Sequence, residues 1–227
     1  MIMQHLARSV SRPPTALRGA LPRWLYSSSS SSCCNHEHRC YVPSSLSDTR
    51  LRGCQSLAPK SELELAPVTE REILEVQKKW ANAITNISAV YKAGGDYVGE
   101  AAKAAGELYA YEFGDVLFKP TKAREVQFRP TAGEAMSYFV GGDVVDKGYK
   151  EDKGFAINGG KGHEKCVYNN HNIIVTNGVG IAMGTYDFTC ASTGNVDSVE
   201  YTFGYMRYPD GKVRIFLHHS SLPYSPA

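Results

Sequence analysis

The sequence predicts an α+β domain in which helices pack on the concave face of a curved antiparallel sheet. In the predicted domain, residues 67–227, the first half contains sequence patterns typical of helix N-termini. Nearly all of the second half has patterns typical of β-strands. Helices followed by strands are typical of the α+β class. Two glycines inside strand patterns, Gly184 and Gly204, are candidate bends or bulges of the kind that a curved sheet requires.

The first predicted helix starts at a capping box. Thr69 and Glu72 have the spacing at which each side chain can satisfy a backbone N–H of the other. Apolar side chains then recur at helical spacing, at Ile73, Val76, Trp80, Ile84, Ile87 and Tyr91. The pattern predicts a long amphipathic helix with one buried stripe.

Two shorter helices are predicted after the first. An alanine-rich stretch from Tyr97 is expected to be helical until Gly114 ends it. Thr131 and Glu134 form a second capping box, and Gly141 is expected to close the helix that they start.

Strands follow the second helix. Val116 and Phe118 alternate with polar residues and predict a short strand that Pro120 ends, and Val126 and Phe128 predict another. From residue 164 onward, four long strand patterns are separated by turn sequences at 177–178, 192–195 and 209–211. Consecutive strands joined by tight turns predict an antiparallel meander.

The composition excludes several classes of function. Lys and Arg total 25 against 23 Asp and Glu, so the formal net charge is only +2. Such a balance does not indicate a partner that is a nucleic acid or an anionic membrane surface. No apolar run reaches the length of about 18 residues that a membrane-spanning helix needs.

Residues 1–40 predict a transit peptide, residues 41–66 a linker, and residues 67–227 the folded domain. The start of the chain is rich in Arg and Ser, and its first acidic residue is Glu37. This composition is typical of organelle targeting, with the mitochondrion ahead of the plastid. Arg23, shortly before a Tyr-Ser pair, resembles a mitochondrial processing site. The alternative is an N-terminal tail that has no targeting function.

Cysteine usage does not indicate a disulfide framework, because four of the six cysteines precede the predicted domain. The segment CCNHEHRC at 33–40 has the residue types of a metal site, but it is flanked by serines that offer no fold to hold ligands. Inside the predicted domain, the residues whose side chains could coordinate a metal ion are His163, Cys166 and His171. Strand alternation puts Cys166 and His171 on opposite faces, which disfavours a shared metal.

The last strand, RIFLHHSS, ends with two imidazoles and two hydroxyls. Strict alternation puts Ile215, His219 and Ser221 on one face, which is apolar until the strand ends. His219 and Ser221 are therefore expected at the mouth of the core. His218 and Ser220 are expected on the opposite face, towards a subunit contact. A histidine at the mouth is either a hydrogen-bonded core residue or a general base.

Several segments together resemble the iota class of carbonic anhydrases: LFKPTKA, FRPT, SYFVGG, IAMGTYDF, EYTFGYMR and RIFLHHSS. They occur in the family's order and span about residues 67–223. That class shares its domain type with the association domain of calcium/calmodulin-dependent protein kinase II, within the nuclear transport factor 2-like superfamily. The resemblance therefore implies a cone-shaped α+β fold.

The resemblance also implies an activity, the interconversion of carbon dioxide and bicarbonate in a hydroxyl and imidazole pocket at the mouth of the cone. It implies no cofactor, with zinc or manganese as the alternative. The family's pocket positions correspond to Thr121 of KPT, Tyr138 of SYF, and His219 and Ser221 of HHSS. A shift of one residue in HHSS would substitute His218 and Ser220 for the last two.

Two other functions stay open. The first is a non-catalytic oligomerisation module of the same fold, since a homodimer or higher homo-oligomer is expected in either case. The second is another small-molecule enzyme of the superfamily, such as an isomerase or dehydratase. Such enzymes usually need a cavity carboxylate, and Asp187 is expected on the opposite face from the rings of Tyr186 and Phe188.

Overall fold

A computed structural model describes residues 65–226, which form three helices and one five-stranded sheet. The elements follow in the order α1 (Glu70–Lys92), α2 (Tyr97–Leu108), β1 (Leu117–Lys119), α3 (Ala132–Val140), β2 (His163–Thr176), β3 (Val179–Cys190), β4 (Val196–Arg207) and β5 (Val213–Ser221). The predicted α+β class with a curved sheet is confirmed. The predicted transit peptide, the CCNHEHRC segment and nearly all of the predicted linker lie outside the described residues.

Helix α1 begins and packs as predicted. Thr69 Oγ1 accepts from the N–H of Glu72 at 3.3 Å, and the Glu72 carboxylate accepts from the N–H of Thr69 at 3.0 Å. The apolar stripe of α1 is buried, and Trp80 stands at its centre, 2% exposed. The Trp80 ring meets four aromatic rings of the sheet edge-on, those of Tyr168, Tyr186, Phe188 and Phe203. Helix α1 therefore anchors the helical layer on one face of the sheet.

Helix α2 ends at Leu108, so the predicted end at Gly114 was wrong. The backbone of Tyr109 is extended and forms a parallel bridge with Ile215 of β5. The N–H of the next residue, Ala110, donates to the Ile215 carbonyl at 3.0 Å. Pairing with the sheet thus overrides local helix propensity. Helix α3 is confirmed with its capping box, and Gly141 ends it at a φ of 106°.

The strands are arranged in the order β1-β5-β4-β3-β2. Strands β2 to β5 are antiparallel neighbours, which confirms the meander, and β1 pairs parallel with β5. The predicted strand at Val126 and Phe128 was wrong. Both Glu151 carboxylate oxygens accept backbone N–H groups there, from Arg124, Glu125 and Val126, each at 2.9 Å. These donors are consequently not used in a strand ladder.

The two predicted bulges are present. The register of β2 against β3 slips at His171, opposite Gly184, and that of β5 against β4 slips at Phe216, opposite Gly204. Each bulge adds one residue to one strand of the pair, so side chains beyond it exchange faces relative to strict alternation. For β5, this exchange affects the HHSS segment.

Alanine at Gly184 should destabilise the protein strongly. A β-carbon there would lie 2.1 Å from the carbonyl oxygen of Asn169, so the backbone of the bulge would have to move. We expect Gly184→Ala to lower the free energy of unfolding by about 1–3 kcal/mol in urea titrations. The control is Gly133→Ala in α3, where a β-carbon meets nothing within 4 Å and where a gain of about 0.4–1 kcal/mol is expected. Equal stability of the two variants would contradict the bulge.

The helices leave the opposite face of the sheet, here called the outer face, uncovered. Its exposed apolar side chains are Leu117 (66%), Ile174 (59%), Ile181 (41%) and Met183 (54%). Among residues 65–226, no helix is both long and apolar enough to cross a membrane.

Candidate active site

Strand β5 turns His218 and Ser220 towards the core, not His219 and Ser221. His218 and Ser220 are 2% and 3% exposed, whereas His219 is exposed and Ser221 half-buried. The face predicted from strict alternation was therefore wrong. The bulge at Phe216 adds one residue after Ile215, and this reverses the parity of the four residues that end the strand.

Ser221 and His219 belong to the outer side of the sheet. The Ser221 hydroxyl donates to Glu200 Oε2 at 3.1 Å, and Glu200 is exposed. His219 is paired with Thr202 on β4 and with Lys119 on β1. Neither side chain takes part in the buried contacts described next.

Thr121 and Ser220 meet where β1 ends beside β5. The parallel pairing places Lys119 next to His219, so the turn after β1 brings Thr121 against the end of β5. The Thr121 hydroxyl donates to Ser220 Oγ at 2.8 Å. Of the two serines of the HHSS segment, it is thus Ser220 that contacts Thr121.

Tyr138 of α3 adds a buried hydroxyl. Its ring stacks on Phe155 with 5.4 Å between centroids and meets Phe118 edge-on at 5.8 Å. Its Oη atom is buried and has no hydrogen-bond partner within residues 65–226. Burial raises the pKa of this phenol, and the nearby Lys122 N–H and Thr121 hydroxyl, which lie outside hydrogen-bond geometry, partly oppose that rise. Tyr138 is therefore a neutral phenol with unused hydrogen-bonding capacity beside Thr121.

Tyr186 of β3 supplies a further hydroxyl, one that the sequence did not single out. It is 1% exposed, and burial raises its pKa while the nearby Ser220 and Thr121 hydroxyls oppose that rise. Strand β3 is separated from β5 by β4, so no spacing along the chain predicts that Tyr186 lies near Ser220. Thr121, Tyr138, Tyr186 and Ser220 are called the hydroxyl cluster below.

His218 lies beside the hydroxyl cluster, held by aromatic rings. It stacks on Phe203 at 4.0 Å and on Phe118 at 4.6 Å between centroids. Its Nδ1 lies 2.8 Å from Tyr109 Oη, and its Nε2 lies 3.4 Å from Tyr186 Oη. Both ring nitrogens therefore face phenol oxygens.

Two buried histidines should make stability depend on pH. Burial, and to a lesser degree the neighbouring His219, holds the pKa of His218 well below its usual value, and burial also lowers the pKa of His163. As pH falls through about 6.5, the unfolded chain takes up protons that the folded chain does not. The free energy of unfolding should therefore fall between about pH 7.5 and about pH 5.5, by at most about 1.4 kcal/mol per pH unit for each histidine.

Urea unfolding measured across this range checks the expected slope. His171→Gln is the matched control, because it replaces an exposed histidine and should leave the slope unchanged. A stability that does not vary over this pH range would contradict the neutral, buried state of His218 and His163.

In the part of the chain that the structure describes, no acidic side chain is positioned as a base at the hydroxyl cluster. Within residues 65–226 the buried carboxylate is that of Asp152, whose oxygens accept from Arg129 Nη2 at 3.1 Å and from Ser137 Oγ at 2.6 Å. Asp187 is half-buried and accepts from Asn169 Nδ2 at 2.9 Å. Both acids are committed to other contacts, which disfavours an isomerase or dehydratase that needs a cavity carboxylate.

The described part of the chain contains no group of three or more His, Cys, Asp or Glu side chains that could hold a metal ion. The three ligand candidates of the domain have separate environments. His163 Nε2 lies 2.9 Å from the Phe155 carbonyl oxygen, and His171 is exposed. Cys166 is a free thiol whose pKa burial raises to about 12, so the thiol is protonated at neutral pH.

The hydroxyl cluster can bind a small oxyanion. Hydroxyl groups both donate and accept hydrogen bonds, and the two phenols are kept neutral by burial. From the outer side of the sheet, Lys119 Nζ donates to the backbone carbonyl of Ser220 at 3.3 Å. Such a site offers several donors to the oxygens of one planar anion.

Comparison with known proteins agrees with this chemistry. The family model described as metal-independent carbonic anhydrase matches residues 71–222. A metal-independent carbonic anhydrase from Nostoc sp. (strain PCC 7120) is 39% identical over 160 residues, which cover 69% of this chain and 75% of the relative. The crystal structure of a cyanobacterial iota-carbonic anhydrase complexed with bicarbonate is 38% identical, with a TM-score of 0.65 over 70% of this chain and 95% of that one. A nuclear transport factor 2-like superfamily protein from Salmonella enterica is 12% identical, with a TM-score of 0.41.

Proposed function

The chain belongs to the family of metal-independent carbonic anhydrases, and we propose that it interconverts carbon dioxide and bicarbonate at the hydroxyl cluster. The observation that carries this proposal is the buried hydroxyl of Tyr138, which has no hydrogen-bond partner within residues 65–226 and lies beside the Thr121–Ser220 hydrogen bond. A buried polar group without a partner is costly unless a ligand or water completes it. The cyanobacterial relative was crystallised with bicarbonate, an anion that can accept such hydrogen bonds.

The reaction needs a site that stabilises developing negative charge. In hydration, the oxygen of a water molecule bonds to the carbon of carbon dioxide, one proton of that water leaves, and bicarbonate forms. Tyr138 and Tyr186 can donate to the oxygens on which charge develops. Thr121 and Ser220 can each accept and donate, so they can orient the water and pass its proton towards solvent, to which Thr121 is partly exposed. Dehydration of bicarbonate is the reverse.

Stopped-flow measurement of carbon dioxide hydration by the full chain tests this function. We expect activity proportional to protein concentration, with a turnover below that of zinc enzymes, which use a bound water of pKa about 7. The alternative, a non-catalytic oligomerisation module, predicts a well-folded oligomer without hydration activity. That result would contradict the proposed function.

We propose that a second copy of the chain covers the outer face of the sheet. This face carries exposed Ile174 and Met183 together with opposite charges on Lys119 and Glu200, which a twofold-related copy can pair. Met183→Glu should dissociate the dimer in sedimentation experiments, whereas Lys103→Glu, on the exposed side of α2, should not. A wild-type chain that sediments as a monomer would contradict the proposal.

We propose a mitochondrial location, with the plastid as the alternative. The support is the composition of residues 1–40, which are rich in Arg and Ser and free of acids before Glu37. Residues 1–66 fused to a fluorescent protein should direct it to mitochondria, and cytosolic fluorescence would contradict the proposal.

A further inference from the structure

A line of four side chains connects α1 with the hydroxyl cluster. Trp80 Nε1 donates to Tyr109 Oη at 2.8 Å, Tyr109 Oη lies 2.8 Å from His218 Nδ1, and His218 Nε2 lies 3.4 Å from Tyr186 Oη. All four side chains are buried, with exposures of 1% or 2%. Their hydrogen bonds are therefore made without competition from bulk water.

The indole of Trp80 sets the direction of this line. An indole N–H donates and never accepts, so the Tyr109 oxygen is the acceptor of that bond. The phenol proton of Tyr109 then has Nδ1 of His218 as its acceptor. If Nδ1 carried a proton, Tyr109 would accept two hydrogen bonds and its own proton would be left without an acceptor at a fully buried position, which is costly.

The surroundings of His218 also keep it uncharged. The aromatic side chains that contact its ring within residues 65–226 are neutral: Trp80 from α1, Tyr109 after α2, Phe118 from β1, Tyr186 from β3 and Phe203 from β4. No carboxylate is among them to stabilise an imidazolium, and the adjacent His219 points to the outer side. A single neutral tautomer can therefore persist at this position.

We propose that Trp80 and Tyr109 hold His218 as the neutral tautomer protonated on Nε2, so that Tyr186 accepts from His218 and donates its own proton into the hydroxyl cluster. The identity of the anion that receives this proton rests on the proposed function. Trp80 and Tyr109 are positioning residues, because they act through His218 and Tyr186.

This tautomer assigns His218 a different role from that of a general base. Its Nε2 already carries a proton and the Nδ1 lone pair is occupied by Tyr109, so neither nitrogen is free to accept the proton of the attacking water. Instead the cluster presents two phenol donors, Tyr138 and Tyr186, to the bicarbonate oxygens. The proton leaves through Thr121 and Ser220, as in the path proposed above.

The direct test is the ¹⁵N spectrum of the full chain labelled at histidine, because ¹⁵N shifts distinguish the two neutral tautomers and the imidazolium. The His218 signal is assigned through its contacts with the rings of Phe203 and Phe118. We expect the tautomer protonated on Nε2, unchanged between about pH 6 and about pH 8. A proton on Nδ1, or an imidazolium in this range, would overturn the inference whether or not the protein is active.

Tyr109→Phe removes the donor to Nδ1 and keeps the ring. We expect a fraction of His218 to become protonated on Nδ1, with kcat falling about tenfold, the worth of one hydrogen bond, and KM little changed. Trp80→Phe should also shift part of His218 to the Nδ1 tautomer and lower kcat, because the indole N–H that orients the Tyr109 hydroxyl is lost. Tyr111→Phe is the matched control, because Tyr111 stacks beside Tyr109 but donates to the Arg129 carbonyl, outside the line.

The two measurements separate the inference from the proposed function. A wild-type chain with the Nε2 proton but no hydration activity would refute the function and leave the tautomer standing. An active chain whose tautomer and kcat are unaffected by Tyr109→Phe would refute the positioning role alone.

Discussion

Replacing Ser220 by alanine should lower kcat/KM for carbon dioxide hydration by about 10²–10³-fold, because the group that orients the attacking water and passes on its proton is lost. Ser220 Oγ accepts from Thr121 and stands with Tyr186 at the hydroxyl cluster. The substitution removes only one small hydroxyl, so the domain should stay folded. Thr121→Ala removes the other member of that hydrogen bond and should have an effect of similar size.

The adjacent serine is the control for this prediction. Ser221→Ala makes the same chemical change one residue later, but on the outer side of β5, where the hydroxyl donates to exposed Glu200. We expect it to retain wild-type activity. The opposite pattern, with Ser221→Ala inactive and Ser220→Ala active, would support the register that strict alternation predicts and contradict the site described here. Stopped-flow rates, with circular dichroism to verify folding, decide between the two.

Replacing Asp152 by alanine should lower the free energy of unfolding by about 3–5 kcal/mol, because it leaves a buried charge without its partner. The Arg129 side chain is fully buried, and its Nη2 lies 3.1 Å from Asp152 Oδ1. Asp152 Oδ2 also accepts from Ser137 of α3 at 2.6 Å. The remaining carboxylate, that of Glu151, contacts Arg129 at 3.3 Å from a more exposed position.

The same ion pair supports the active site. Arg129 fixes the segment that follows Thr121, since its N–H donates to the Phe118 carbonyl at 2.8 Å and its guanidinium donates to the Val126 carbonyl. Asp152→Ala should therefore lower activity as well as stability.

Urea titrations should compare Asp152→Ala with Arg124→Ala, which removes an exposed pair. The Arg124 guanidinium contacts Glu125 at 2.8 Å, and its loss should change stability by no more than about 0.5 kcal/mol. Similar unfolding free energies for the two variants would contradict the importance of the buried pair.

Local signals were sufficient to predict most of the fold. The capping boxes at Thr69 and Thr131 depend on residues three positions apart, and both helices start where these boxes predict. The end of α2 was not predictable in this way, because Tyr109 leaves the helix to pair with Ile215, more than a hundred residues later. The segment at Val126 resembles a strand by alternation, but its N–H groups bind a carboxylate instead.

The site depends on contacts that alternation cannot supply. Gly204 could be identified from the sequence as a bulge candidate. The sequence does not show, however, which of the two paired strands carries the extra residue. The structure gives the reason: a β-carbon at Gly204 would lie 2.7 Å from the ring of Phe216, so the glycine makes room for the bulge in β5. That single residue decides whether His218 or His219 enters the core.

Thr121 and Tyr138 could be identified as site residues from the resemblance to a known family, because the KPT and SYF motifs are short and local. The line from Trp80 to Tyr186 was not. Its four members come from α1, the end of α2, β5 and β3, so only the tertiary structure brings them together. The sequence predicted Trp80 in the buried stripe of α1, but the hydrogen-bond partner of its indole N–H is evident only from the tertiary structure.

We expect the hydroxyl cluster to hydrate carbon dioxide without a metal ion. The most direct measurement is stopped-flow hydration by the full chain after treatment with a chelator, with the metal content of the same sample determined. The metal-free protein should keep its full kcat/KM, and added zinc or manganese should leave the rate unchanged. Activity that disappears with the chelator and returns with either ion would contradict it.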